Sequence, residues 1–144
     1  MNAESQMKEL AILLQETSGL MKRRFEQVAR PAGLTLLQWR ALRCLEVSGP
    51  MRQVALVDAI ETTPMTVSDM ADRLEKARLI TREADPEDSR AKILKITDLG
   101  VAKLAEIRQT ANAVFAEIMA GLTEADITAM QSSLATMKDN LGAK

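Results

Sequence analysis

The chain of 144 residues has no histidine, no tyrosine and a single cysteine, Cys44. Without histidine, a Ser-His-Asp relay or a His-built zinc site is excluded. One cysteine rules out a CxxC motif and an intrachain disulfide. Aromatic residues make up only 2% of the chain, too few for the base-stacking platforms of a single-strand binder. A Gly-rich phosphate loop is missing as well. The sequence therefore offers no catalytic constellation, no cofactor and no metal site, and an enzyme is not expected. The net charge of −1 gives no global attraction to nucleic acid. That argues against a non-specific DNA coater, although a basic surface can be local. No apolar run reaches the length of a membrane span, and residues 1–20 carry acids where a signal peptide would be basic and then apolar. The expected setting is cytoplasmic, with no membrane partner.

What is present is a globular balance, 47% apolar and 27% charged, in a chain long enough for one domain or one intertwined subunit. In the first 30 residues Leu10, Leu13, Leu14, Met21, Phe25 and Val28 recur at helical spacing. Pro31 disfavours helical backbone in the residue before it, so this helix should end by Arg30. Thr35-Leu36-Leu37-Gln38 reads as a capping box for a second helix, with Leu37, Ala41, Cys44 and Leu45 as its expected inner face. Cys44 there is expected to be a buried structural thiol rather than a redox sensor. Trp39 and Arg43, four residues apart, fall on another face. They are expected to serve packing and solvation, or else to floor a pocket for an anionic ligand.

Residues 52–60 suggest a short third helix with Val54, Leu56, Val57 and Ile60 apolar. After the turn Glu61-Thr62-Thr63, Thr63 can cap a fourth helix and Pro64 can occupy its first position. Val67, Met70, Ala71 and Leu74 then make one apolar stripe, leaving Thr66, Ser68, Asp69, Asp72 and Arg73 on the other face. Two short helices and a tight turn suit a helix-turn-helix, whose second helix enters a DNA major groove. An amphipathic surface helix would read the same way in isolation. Residues 79–83 and 91–96 suit an antiparallel pair around the turn-rich tip of residues 84–90. Beside a helix-turn-helix, that pair reads as a wing, with Arg90 free to reach a minor groove and Asp88 able to hold its guanidinium. Thr97-Asp98 caps a fifth helix, with Leu99, Ala102, Leu104, Ile107, Ala111, Phe115, Ile118 and Met119 along it. Thr123 starts a sixth, with Ile127, Met130, Leu134, Met137 and Leu141. Apolar helices at both chain ends suggest an intertwined homodimer, the alternative being a monomeric bundle in which they cover each other.

Three segments carry a family likeness: residues 34–42, residues 66–80 and, most specifically, Asp85-Pro86-Glu87-Asp88-Ser89-Arg90-Ala91-Lys92 leading into Thr97-Asp98-Leu99-Gly100. On these the chain resembles the MarR family of winged-helix transcriptional regulators over nearly its whole length. The resemblance implies a mainly α fold with a small β-hairpin wing: one domain over 1–144, with a winged-helix lobe at 34–100 and dimerisation helices at 1–30 and 101–144. It also implies a homodimer that represses from a double-stranded, pseudo-palindromic operator and is released by a small aromatic or anionic effector. Carried over by position, Pro64, Met65, Thr66, Ser68 and Asp69 would face base edges or phosphates. Arg73 would contact backbone or brace the wing, Asp88 and Arg90 would form the wing-tip pair, and Arg52 and Arg82 would be weaker phosphate contacts. Met21, Phe25, Trp39 and Arg43 either line a space for an effector between the first two helices or serve as ordinary packing and surface residues.

The chain also departs from the family. Arg78 stands where the family usually has glycine, and Asp69 puts an acid on the DNA-facing helix. Lacking histidine, the chain does not resemble the zinc-responsive members, and Cys44 is misplaced for the peroxide-sensing ones. A second reading follows from the net charge and Asp69, a helical dimeric interaction or scaffold protein that has lost DNA binding.

Overall fold

Asn2 opens the first helix: its side-chain oxygen accepts the Ser5 amide at 2.8 Å. The structure, a computed structural model, describes residues 2–142. Helix α1 (Ala3–Ala29) passes into a short 3-10 turn at Arg30–Ala32, where Pro31 ends the regular hydrogen bonding. Only its C-terminal end is buried, through Phe25, Val28 and Ala29, whereas Leu10 and Leu13 of the expected stripe are exposed along with Met7, Ile12 and Leu20.

Helix α2 (Leu36–Ser48) starts with the expected capping box: Thr35 Oγ1 accepts from the Gln38 amide at 3.1 Å, and Gln38 Oε1 accepts from the Thr35 amide at 3.0 Å. Its inner face differs from the sequence expectation. Trp39, Ala41, Leu42 and Leu45 are buried, while Leu37 and Cys44 are half-exposed. The reason is Phe25, whose ring meets Trp39 edge to face at 5.6 Å and 63°. That contact turns the helix so that its largest apolar side chain faces α1.

Strand β1 (Met51–Arg52), helix α3 (Gln53–Ala59), helix α4 (Pro64–Lys76), strand β2 (Ile80–Ala84) and strand β3 (Lys92–Ile96) complete the winged helix. The wing is a three-stranded antiparallel sheet in the order β1-β3-β2, with Leu94 opposite both Met51 and Arg82. Arg52 therefore lies on a strand and is not the first residue of the third helix. Val54, expected among the apolar contacts of α3, is exposed, whereas Leu56 and Ile60 are buried. Leu42, Leu45, Leu56, Val67, Leu74, Ile80 and Leu94 form the fully enclosed centre, each contributing about 1.5–3 kcal/mol by leaving water.

Helix α5 (Asp98–Ile118) buries Leu104, Ile107, Ala111 and Val114, and leaves Leu99 and Phe115 exposed. The chain divides into two compact units, one ending at Ala111 and one starting at Asn112. The second unit holds helix α6 (Glu124–Gly142), none of whose residues is buried. Its start is capped reciprocally: the Asp126 amide donates to Thr123 Oγ1 at 3.0 Å, and the Thr123 amide donates to Asp126 Oδ2 at 2.9 Å. The Thr123 amide chiefly, and then the Thr123 hydroxyl, hold the Asp126 carboxyl below its ordinary pKa. Among the described residues, no helix is long and apolar enough to cross a membrane.

Candidate nucleic-acid interface

Helix α4 presents two unlike faces. Val67, Met70, Ala71 and Leu74 are buried as their spacing predicts. On the outer face Pro64, Met65, Asp69, Asp72 and Arg73 are exposed, and Thr66 and Ser68 are half-exposed. Thr63 caps the helix through a 3.2 Å bond from the Thr66 amide, and its hydroxyl donates to Thr66 Oγ1 at 2.9 Å. With its oxygen already accepting, the Thr66 hydroxyl keeps its own proton for an outside acceptor. The amino end of α4 thus offers a hydroxyl donor and a positive helix dipole at the surface. The preceding turn carries Glu61 at φ +53, a left-handed residue that the sequence did not announce.

The wing projects from the same lobe. At its tip Arg90 is 92% exposed; its Nε lies 3.4 Å from Asp88 Oδ1. The Arg90 amide donates to that same oxygen at 3.0 Å. Asp88 therefore shapes the turn more than it clamps the guanidinium. Two further arginines are engaged inside the lobe. Arg82 on β2 reaches back to α4, its Nη2 2.6 Å from Asp72 Oδ1 and 3.0 Å from Glu75 Oε1. The pairing lowers the Glu75 pKa and raises that of Arg82. Arg52 Nε lies 2.6 Å from Asp85 Oδ2. Bracing between wing and helix thus falls to Arg82, while Arg73 stands exposed on the surface. Sequence reasoning missed Asp72, Glu75 and Asp85 as partners. The only available signal was two acids one helical turn apart, and it does not reveal which strand they meet.

Arg78 has φ +64, so arginine does occupy the left-handed position at the end of α4. Its carbonyl accepts the Thr97 hydroxyl at 2.7 Å. Gly100 completes this corner: a Cβ there would lie 2.4 Å from the Leu79 carbonyl oxygen.

The four residues expected around an effector differ in exposure: Phe25 and Trp39 are buried, and Arg43 is exposed. Phe25 and Trp39 pack on each other as core, and Met21 is half-exposed. Arg43 lines a 270 Å³ hollow with Arg40, Cys44, Val47, Ser48, Ala59 and Ile60. A separate hollow of 390 Å³ is lined by Lys22 and Glu26 of α1, by Thr35, Leu36, Leu37 and Arg40 at the start of α2, and by Ile60, Glu61 and Thr62 of the turn before α4.

The MarR family model matches residues 34–92, the winged-helix region. The transcriptional repressor MdtR of Bacillus subtilis (strain 168) is 28% identical over 126 residues, covering 88% of this chain and 81% of that one. The transcriptional regulator HosA of Escherichia coli O111:H- is 31% identical over 90 residues, 62% of this chain and 67% of that one. The solved structure of BpsR from Bordetella bronchiseptica, described for the regulation of its DNA binding by 6-hydroxynicotinic acid, matches with a TM-score of 0.81. It is 26% identical and covers 91% of this chain and 99% of that chain. With a winged helix in the matched region and that identity to HosA, the chain belongs to the MarR family, DNA-binding transcriptional regulators and not enzymes.

Proposed function

We propose that the protein is a homodimeric repressor that binds a pseudo-palindromic operator and releases it when a small aromatic or anionic molecule binds. The observation that carries the reading is the outer face of α4, with its half-exposed Thr66 hydroxyl and exposed Met65, on the same lobe as the exposed Arg90. A helix presents base-reading side chains in a major groove, and a wing-tip arginine suits the electronegative minor groove beside it. The repressor role is supported by the likeness to MdtR. Operator DNA as partner implies a cytoplasmic protein.

Dimerisation is supported by apolar surface on both terminal helices: Met7, Leu10 and Leu13 on α1, and Met130, Leu134 and Leu141 on α6, are exposed. Apolar surface of this extent marks an interaction site. For the effector, the 390 Å³ hollow is a candidate beside the space expected around Met21, Phe25, Trp39 and Arg43. Lys22 and Arg40 suit a carboxylate, and an occupant would touch the turn that sets the start of α4. The likeness to BpsR, regulated by 6-hydroxynicotinic acid, supports an acid of that class.

The scaffold reading draws on the net charge of −1 and on Asp69, an exposed acid on the outer face of α4. Selection on random duplex DNA, followed by sizing of the complex, separates the two. A repressor enriches a palindrome with half-sites about one helical turn apart and loads two protomers. Failure to enrich any sequence, even after refolding without small molecules, would leave the scaffold reading standing.

A further inference from the structure

We propose that Arg82 and Arg52 are positioning residues rather than contacts to phosphate: Arg82 latches the wing to the recognition helix, and Arg52 latches the tip loop to β1. The consequence for DNA rests on the operator-binding reading above; the latches themselves rest on geometry alone.

Arg82 sits in the middle of β2, opposite Leu94. Its side chain is 21% exposed, and its donors already point at α4. Nη2 is shared between Asp72 Oδ1 and Glu75 Oε1, and Nε approaches the same Glu75 oxygen at 3.3 Å. The fork of a guanidinium can span two carboxylates one helical turn apart, which a lysine ammonium cannot do with fixed geometry. The charge count decides against a phosphate role. One cation faces two carboxylates, so the cluster is net negative and would repel a phosphate rather than hold it.

The second latch works from the other edge of the sheet. Asp85 is 6% exposed and closes the tip loop: its Oδ1 accepts the Glu87 amide at 2.9 Å, and its own amide donates to the Ala91 carbonyl at 2.9 Å. Oδ2 is held at 2.6 Å by Arg52 of β1. Because β1 and β2 flank β3, one latch holds each side of the wing. Tilting the tip in either direction stretches an ion pair, and the reach of Arg90 depends on that tilt.

The latch at Arg82 also hides charge. Of the three acids on α4, two are neutralised in part by Arg82, leaving Asp69 as the acid turned freely outward. A helix rich in acids thereby becomes tolerable beside DNA.

The test uses the full-length protein and an operator taken from the random-DNA selection. Affinity for operator and for unrelated duplex is measured at several salt concentrations, for the parent and for Arg82→Gln, Arg82→Lys, Asp72→Asn/Glu75→Gln and Arg90→Ala. A latch predicts that Arg82→Gln weakens operator binding roughly tenfold with an unchanged salt slope, whereas loss of a phosphate contact lowers the slope by about one. It predicts no rescue by Arg82→Lys, which retains the charge. It also predicts that Arg90→Ala costs less in the Arg82→Gln background than in the parent, because the two act through one geometry. Most sharply, Asp72→Asn/Glu75→Gln removes two negative charges yet lowers the ratio of operator to unrelated-DNA affinity. A salt slope reduced by one in Arg82→Gln, full rescue by lysine, or a ratio unchanged in the double variant would each overturn the latch.

A readout without DNA keeps the two ideas apart. Hydrogen exchange of the free protein should quicken across β2, β3 and the tip in Arg82→Gln, while α1 and α2 exchange as in the parent. Unchanged wing exchange overturns the latch whatever the DNA result. Quickened exchange in a protein that selects no DNA sequence upholds the latch and removes the operator reading.

Discussion

The Thr97 hydroxyl donates to the backbone carbonyl of Arg78 at 2.7 Å, across 19 residues of sequence. Its oxygen also accepts the Gly100 amide at 3.1 Å, and the Thr97 amide donates to the Leu79 carbonyl at 3.0 Å. One residue therefore ends the wing, caps α5 and holds the end of α4. Thr97→Val keeps the shape but removes the hydroxyl. It should destabilise the protein by about 1–3 kcal/mol, the sum of a lost cap and a lost tertiary hydrogen bond. Thr97→Ser should recover most of that. Urea melts of the three proteins decide the point; a valine variant as stable as the parent would remove the corner from the account.

Gly100 belongs to the same corner. A Cβ there would lie 2.4 Å from the Leu79 carbonyl oxygen and 2.6 Å from Ile96 Cγ1. The first of these is backbone, already committed to Thr97, and cannot swing aside as a side-chain tip can. Gly100→Ala should therefore destabilise by about 1–3 kcal/mol, the scale of overpacking in a filled site. This is the physical content of a threonine three residues before a glycine: the hydroxyl caps the amide, and the missing side chain permits the approach.

Arg78 is the counter-example, a position where glycine would do better. Its φ of +64 costs an L-residue about 1–2 kcal/mol, against roughly 0.5–1 kcal/mol of extra chain entropy that glycine loses on folding. Arg78→Gly should therefore raise stability by up to about 1.5 kcal/mol, with Arg78→Ala close to the parent as the control. If glycine gives no gain over alanine in thermal melts, the strain at this residue is relieved by something other than its side chain.

Features set by neighbours in sequence were legible before the structure. The Thr35–Gln38 capping box, the buried stripe of α4 from Val67 to Leu74 and the wing pairing all depend on spacing within one segment. Features that join distant segments were not. Trp39 was placed with Arg43 off the inner face because a lone helix can be rotated either way; its contact with Phe25, fourteen residues upstream, shows which face turns in. Arg52 and Arg82 read as weaker phosphate contacts because their partners Asp85, Asp72 and Glu75 lie 33, 10 and 7 residues away in the chain. The 390 Å³ hollow was not legible for the same reason, since its walls come from three separate segments.

Asp85 gives the fold a specific acid sensitivity. The Glu87 amide chiefly, and then the Arg52 guanidinium, hold its carboxyl below the ordinary value of 3.8, while burial works in the opposite direction. A carboxylate whose pKa is lower in the folded state contributes stability above its unfolded pKa, and that contribution is lost as pH falls through the folded value. Glu75 shifts the same way, because Arg82 bonds it. Asp85→Asn should therefore melt below the parent at pH 7, with the gap closing as pH drops below about 4. A gap that stays constant down to that range would mean that the asparagine disturbs the loop by shape and not by charge.

Arg90 carries the clearest prediction for DNA. Its side chain is 92% exposed and makes one long contact, 3.4 Å to Asp88, so removing it disturbs almost nothing in the free protein. Arg90→Ala should leave the melting curve within about 0.5 kcal/mol of the parent. On operator it should lose about 1–3 kcal/mol of affinity and reduce the salt slope by about one, the marks of a cation that displaces a counterion. Asp88→Ala makes the complementary case. It keeps the arginine charge but loses the acceptor of the Arg90 amide, so it should weaken operator binding with the slope intact. If both variants changed the slope alike, Asp88 would act on the DNA field directly. If neither weakened binding, the tip would lie away from the duplex, and α4 alone would have to supply the recognition.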